Sequence, residues 1–135
     1  MKIVVDTYAW IEIFIGSKKG QKAKDYLEKA TEVYTPDTVL AEVARKYLRE
    51  GMNQDDIKDR LRTITEASDI KPIDIEVALE AARTYILLAD EAKKQGLKAP
   101  SLFDAIILAS AKLLGAKALT GDEHLKIFPE TLWIG

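Results

Sequence analysis

The chain has no cysteine and one histidine, His124. The first absence excludes disulfides and thiolate metal sites, and the second excludes a histidine-rich zinc centre. Any metal is therefore expected on oxygen ligands, which suits Mg²⁺ or Mn²⁺. An excess of charge of one sign is missing too: 20 Lys and Arg stand against 22 Asp and Glu, a net charge of −2. This weighs against a protein that binds DNA by charge alone, but not against an enzyme that holds phosphates through a metal. No apolar run is long enough to span a membrane. Asp6 and Glu12 interrupt the apolar N-terminal stretch, which is unlike a signal peptide, and a cytoplasmic location is expected. Internal repeats, linkers and low-complexity tracts are absent.

What is present is a chain of 135 residues, 47% apolar and 31% charged. That length fits one soluble globular domain, expected over 1–135, burying roughly two-thirds of its unfolded surface. The β-branched run Ile3-Val4-Val5 predicts a buried strand of a parallel sheet. Asp6-Thr7 follows it, then a short helix to about Phe14, ended by Gly16. A second helical pattern runs through Ala23, Tyr26, Leu27 and Ala30. Glu32–Thr35 predicts a strand, Pro36 opens a helix to about Glu50, and Gly51 is its C-cap. Asn53 or Gln54 opens the next helix, with Ile57, Leu61 and Ile64 at helical spacing. Ile70–Ile73 predicts a strand that Pro72 confines to a sheet edge. Asp74 caps a long helix stopped by Gly96. Pro100-Ser101 begins another, ending at Gly115. Ala118–Thr120 predicts a strand, Asp122 caps a short helix that Pro129 terminates, and Leu132–Ile134 predicts a last strand. Strands alternating with helices argue for a parallel sheet covered on both faces, a three-layer α/β/α sandwich.

Acids at strand ends and on apolar helices are the candidate functional groups. Asp104 lies on a helix that is apolar nearly all round, in a sector flanked by Ile107, Leu108 and Ala111. A buried carboxylate there needs a partner, because an unpaired buried charge costs several kcal/mol. It also stands three residues after Ser101, where it favours the helix N-terminus; both roles can hold. Asp6 and Asp122 each follow a strand and precede a helix, so each reads as an N-cap or as a ligand, and Glu123 can serve beside or instead of Asp122. By periodicity alone Glu42 reads as half of a solvated ion pair with Lys46. His124 is expected at the surface, Tyr8 and Trp10 in the core or its rim, and Lys18, Lys19, Lys22 and Lys24 on a solvated face, with contact to an RNA backbone as the lesser reading.

Four segments taken together resemble the PIN-domain ribonucleases, and within them the VapC-type toxins of toxin–antitoxin pairs. They are Ile3-Val4-Val5-Asp6-Thr7, Leu40-Ala41-Glu42-Val43, Ser101-Leu102-Phe103-Asp104-Ala105-Ile106-Ile107 and Leu119-Thr120-Gly121-Asp122. The resemblance implies a PIN-like fold with strand order 3-2-1-4-5, which sets the first and fourth strands side by side at the switch point where ligands bind. It implies catalytic roles for Asp6, Glu42, Asp104 and Asp122, with Asp6, Asp104 and Asp122 as metal ligands, and so reassigns Glu42. It implies supporting roles for Thr7 and Thr120, and leaves the last acidic position open between Asp122 and Glu123. The implied activity is Mg²⁺- or Mn²⁺-dependent hydrolysis of RNA to a 5′-phosphate and a 3′-hydroxyl. The implied partners are RNA, a second copy in a homodimer and a small VapB-type antitoxin. Two carboxylates about 5 Å apart repel by about 3 kcal/mol at an effective dielectric of about 20, so a cluster of them should recruit a cation. Other readings are a non-catalytic PIN scaffold in an RNA-processing assembly, or a nuclease of the same fold acting on DNA.

Overall fold

Enclosed β-branched and aliphatic residues dictate the sheet. In a computed structural model, which describes all of residues 1–135, strand β1 (Lys2–Val5) has Ile3, Val4 and Val5 almost wholly out of solvent. It pairs in parallel with β2 (Glu32–Pro36) on one side and β4 (Lys117–Thr120) on the other, Val4 lying opposite Tyr34 and Ala118. The short strands β3 (Asp69–Lys71) and β5 (Thr131–Trp133) complete a five-stranded parallel sheet ordered β3-β2-β1-β4-β5. The expected order and fold class are thus borne out.

Handedness then sorts the helices. Right-handed crossovers carry the chain from β1 to β2 through α1 (Thr7–Ile15) and α2 (Lys18–Lys29), and from β2 to β3 through α3 (Asp37–Arg49) and α4 (Gln54–Ala67). The return from β3 to β4, through α5 (Ile75–Lys94) and α6 (Leu102–Leu114), crosses the opposite face. A 22-residue apolar core fills the space between the layers, and a smaller cluster of Val77, Ala81, Ile106 and Ala109 joins α5 to α6. Leu108 and Leu119, both fully enclosed, each contribute roughly 1.5–3 kcal/mol by burial. Trp10 is also in the core, its indole N–H donating to the Thr35 hydroxyl at 3.1 Å.

Local chemistry sets the ends that matter for function. Asp6 caps α1, and Ser101 with Asp104 forms a reciprocal capping box on α6, an arrangement that satisfies two otherwise orphaned N–H groups. Some boundaries differ from expectation. Pro36 both ends β2, in register with Lys71, and is the N-cap of α3, so the helix opens one residue later than expected, with Pro36 itself extended at φ −58° and ψ 141°. Proline's fixed φ suits both roles. β3 stops at Lys71, before Pro72, and is an edge strand as expected. The segment after Asp122 is a single 3-10 turn, Glu123–Leu125.

Candidate active site

Strand order brings the ends of β1 and β4 together at the carboxyl edge of the sheet, where the strand sequence reverses. Asp6 leaves β1 there and is only 6% exposed. One of its oxygens, Oδ1, accepts the Ala9 N–H at 2.8 Å, and Oδ2 accepts the hydroxyl of Thr120, the last residue of β4. The Thr120 Oγ1 in turn accepts the Asp122 N–H at 2.9 Å, so one hydroxyl ties both strand ends and the following turn together. From the adjacent layer, Glu42 of α3 accepts the Thr7 hydroxyl on Oε1 at 2.8 Å. From the other face, Asp104 of α6 accepts the Ser101 N–H on Oδ2 at 2.9 Å. The Asp122 Oδ1 accepts both the backbone N–H of His124, at 2.9 Å, and its ring Nδ1, at 2.8 Å. The four acids line one cleft of about 80 Å³, walled by Thr7, Tyr8, Phe103 and Ile107.

This pattern orients the carboxylates. Glu42, Asp104 and Asp122 each have one oxygen held by the chain, while no N–H or hydroxyl donor reaches Oε2, Oδ1 or Oδ2 respectively, and the Asp104 and Asp122 carboxyls lie close enough to share a proton. Asp6 alone has both oxygens engaged. Burial pushes Asp6 up to about 7, with the charges of Asp122 and Asp104 adding to it. Burial and then the Asp122 carboxylate push Asp104 up to about 6. Burial also raises Glu42, against the Thr7 hydrogen bond and Arg45, which lower it. Side chains so placed resist ionising beside one another unless positive charge arrives. An all-oxygen donor set with unengaged oxygens on three carboxylates fits a hard divalent cation.

His124 is the surprise. Asp104, Asp122 and His124 present atoms within 4.8 Å of one another, a spacing that would suit a metal. Yet the His124 Nε2 lies 2.8 Å from the Lys98 carbonyl, which can only accept. Its Nδ1 faces the Asp122 carboxylate. Nε2 therefore carries a proton, which fixes the ring's orientation, and Nδ1 is held against Asp122. Burial lowers the affinity of the ring for a proton, but the Lys98 carbonyl and the Asp122 carboxylate outweigh it and the pKa is raised. The imidazole is a strap between Asp122 and the α5–α6 loop.

Asp6, Glu42, Asp104 and Asp122 are brought together with Thr7 and Thr120, whereas Glu123 is exposed and does not line the cleft. The expected Lys46–Glu42 pair is absent, since Lys46 bonds Glu50 at 3.1 Å. Asp104 is half-buried rather than enclosed: it lies in the first turn of α6, which opens on the cleft. His124 departs from its expected surface position, being partly buried and held on both sides. Sequence reasoning also missed Tyr8 as a wall of the cleft. Its ring lies so close to Gly121 that a Cβ there would come within 2.2 Å, and the only written signal for this contact is the glycine between Thr120 and Asp122.

A family model described as PIN domain matches residues 3–130. Ribonuclease VapC3 from Pyrobaculum aerophilum is 28% identical over 129 residues, covering 93% of this chain and 92% of that protein. A toxin–antitoxin complex from Klebsiella pneumoniae contains a chain that superposes with a TM-score of 0.69 at 22% identity, covering 98% of each. Mycobacterium tuberculosis VapC20, described as a sarcin–ricin loop cleaving toxin, gives 0.67 at 20% identity, covering 96% of this chain and 98% of that one. At these identities the structural likeness speaks for the fold.

Proposed function

The chain belongs to the PIN-domain family, and from that premise we propose that it is a divalent-metal-dependent endoribonuclease, the toxin of a VapBC-type pair. The observation that carries this reading is the meeting of four carboxylates, from the end of β1, α3, α6 and the end of β4, in one small cleft. The names of its relatives, a ribonuclease and a sarcin–ricin loop cleaving toxin, support RNA as the substrate. Mg²⁺ or Mn²⁺ would be held by Asp104 and Asp122 with Asp6 beside them. Bound there, such an ion supplies Lewis-acid activation of a water and neutralises charge on the phosphodiester.

The rest of the work falls to the chain itself. Thr120 and the Ala9 N–H fix Asp6, and the Ser101 capping box fixes Asp104. Thr7 turns Glu42 so that its Oε2 points unengaged into the cleft; burial raises its affinity for a proton, which suits it to accept one from the attacking water. Phe103 and Ile107 keep one wall apolar and so limit bulk water. Residues 1–135 would act as a single domain with two partners: a second copy, and a VapB-type antitoxin whose basic side chain competes with the metal for the acids. The latter is supported by likeness to a chain of a toxin–antitoxin complex. No helix is long and apolar enough to cross a membrane, and the cytoplasm, where RNA and the antitoxin are, is the proposed location.

The test is cleavage of a hairpin or single-stranded oligoribonucleotide in Mn²⁺, with single-stranded DNA offered in parallel. The parent is expected to cut the RNA, and Asp6→Asn and Asp104→Asn to lose at least about 100-fold in rate, the scale of losing a metal-held or charge-stabilising group. Parent-like cleavage by either variant removes that residue from the site. Calorimetric titration that finds no Mn²⁺ binding to the parent favours a non-catalytic scaffold.

A further inference from the structure

A cleft lined by four acids, in a chain of net charge −2, repels a polyanionic strand beyond the one phosphate a metal neutralises. Phosphate backbones are held by cations whose binding releases counterions, so the cleft needs cationic side chains at its lip. Lys19 and Arg45, neither of them in an ion pair, are each tied to a residue that lines the cleft, Lys19 to Tyr8 and Arg45 to Glu42. Lys19, in the first turn of α2, donates to the Tyr8 hydroxyl at 3.0 Å, and its ammonium lies 5.8 Å from the centre of that ring. Tyr8 lines the cleft and its ring is backed against Gly121, so Lys19 is held on a fixed post. Arg45 is exposed on α3, three residues beyond Glu42, whose affinity for a proton its charge lowers, and it also lines the neighbouring groove of Leu48 and Leu61.

We propose that Lys19, steadied by Tyr8, contacts a backbone phosphate of the bound single strand next to the phosphate being cut, with Arg45 contacting another. This rests on the nuclease reading and adds to it the residues that hold the substrate outside the acidic cleft. Lys24, exposed on the same helix, is bonded to no residue of the cleft and lines a separate groove with Leu27 and Val33, so it has no such role.

The experiment compares Lys19→Gln, Lys19→Arg, Arg45→Gln and Lys24→Gln, each checked for native circular dichroism. Steady-state cleavage of an oligoribonucleotide is measured in Mn²⁺, and binding of the same strand to the Asp104→Asn protein is measured across a salt series. Lys19→Gln and Arg45→Gln should each raise KM roughly 3- to 10-fold, as for one charged hydrogen bond, with kcat within about twofold. Each should also lower the slope of log Kd against log salt by about 0.7, the value for one single-strand phosphate contact. Lys19→Arg should restore the slope, and Lys24→Gln should change neither quantity. A parent-like KM and slope for Lys19→Gln, or equal losses for Lys24→Gln, would overturn this inference and leave the nuclease reading intact. A parent protein that neither cuts nor binds RNA overturns both.

Discussion

Asp6 is held by two hydrogen bonds and enclosed by the core, yet it takes a proton near neutrality, with a pKa of about 7 against an ordinary 3.8. Because the folded value is raised, stability from this group is fully present below the unfolded pKa. It is lost as pH rises through the folded one. The metal-free protein should therefore melt at progressively lower temperature from pH 5 to pH 8, a change on the order of a few kcal/mol. Asp6→Asn should flatten that profile; a parent whose midpoint is level or rises over the same range contradicts the assignment. Metal binding must displace such protons, so Mn²⁺ affinity should rise from pH 5.5 to 7.5, with release of about one to two protons, read by calorimetry in buffers of different ionisation heat. Asp104→Asn should separate stability from function. Its amide oxygen can still accept the Ser101 N–H while the repulsion from Asp122 is gone, so the metal-free melt should hold or rise and stabilisation by Mn²⁺ should vanish. How far these residues were legible follows from what each depends on. Asp6 and Asp122 read as caps or ligands, and the structure makes each both a cap and a wall of the cleft. Capping is decided by the next three residues, convergence by the order of the strands. Glu42 gave no local signal, since its partner Thr7 is 35 positions away. His124 was misread because its second partner is a backbone carbonyl at Lys98, which no side-chain pattern marks.

Elements were more legible than the site, wherever a boundary depends on nearby chemistry. Asp74, Asn53 and Ser101 cap helices where their side chains can reach the third N–H onward. The strands that shifted, β3 and β5, are three residues long at the sheet edges, where pairing on one side sets the ends. What could not be read was how closely helices approach. Gly20 shows this for α1 and α2: a Cβ there would lie 1.9 Å from the Glu12 carbonyl oxygen, a backbone atom that cannot swing away. In an exposed helix, glycine to alanine gains about 1 kcal/mol. Here Gly20→Ala should instead destabilise by about 1–3 kcal/mol, the usual cost of overpacking. Urea unfolding should show a lower midpoint at unchanged slope. Since α1 carries Thr7 and Tyr8 into the cleft, prising it from α2 should also slow RNA cleavage; a stabilised Gly20→Ala protein would mean that the helices stand further apart.

At the scale of the whole molecule, α5 is the element least explained by the fold of one chain. Val77, Ala81, Thr84, Leu88 and Ala92 face inward. On the opposite side Ile75, Leu79 and Ile86 are each more than half exposed, with Ala82 between them. Their spacing alternates four and three residues and continues to Ala89, which is the seam of a helix that packs against another helix. Nothing in the sheet requires apolar residues there, and exposed side chains in such a row mark an interaction surface. The second copy proposed above would use this seam. Laid antiparallel across a two-fold axis near Ala82, it would meet itself, Ile75 of one chain facing Ala89 of the other and Leu79 lying beside Ile86. Isologous contact of this kind is the commonest route to a homodimer. The chain mass is 15.1 kDa, and sedimentation equilibrium should return twice that value, with a melting temperature that rises with protein concentration. Leu79→Glu with Ile86→Glu buries four like charges at the centre of the seam and should give the single-chain mass with the helical signal retained. A parent already at the single-chain mass, or a double variant that still doubles, would assign the stripe to another partner.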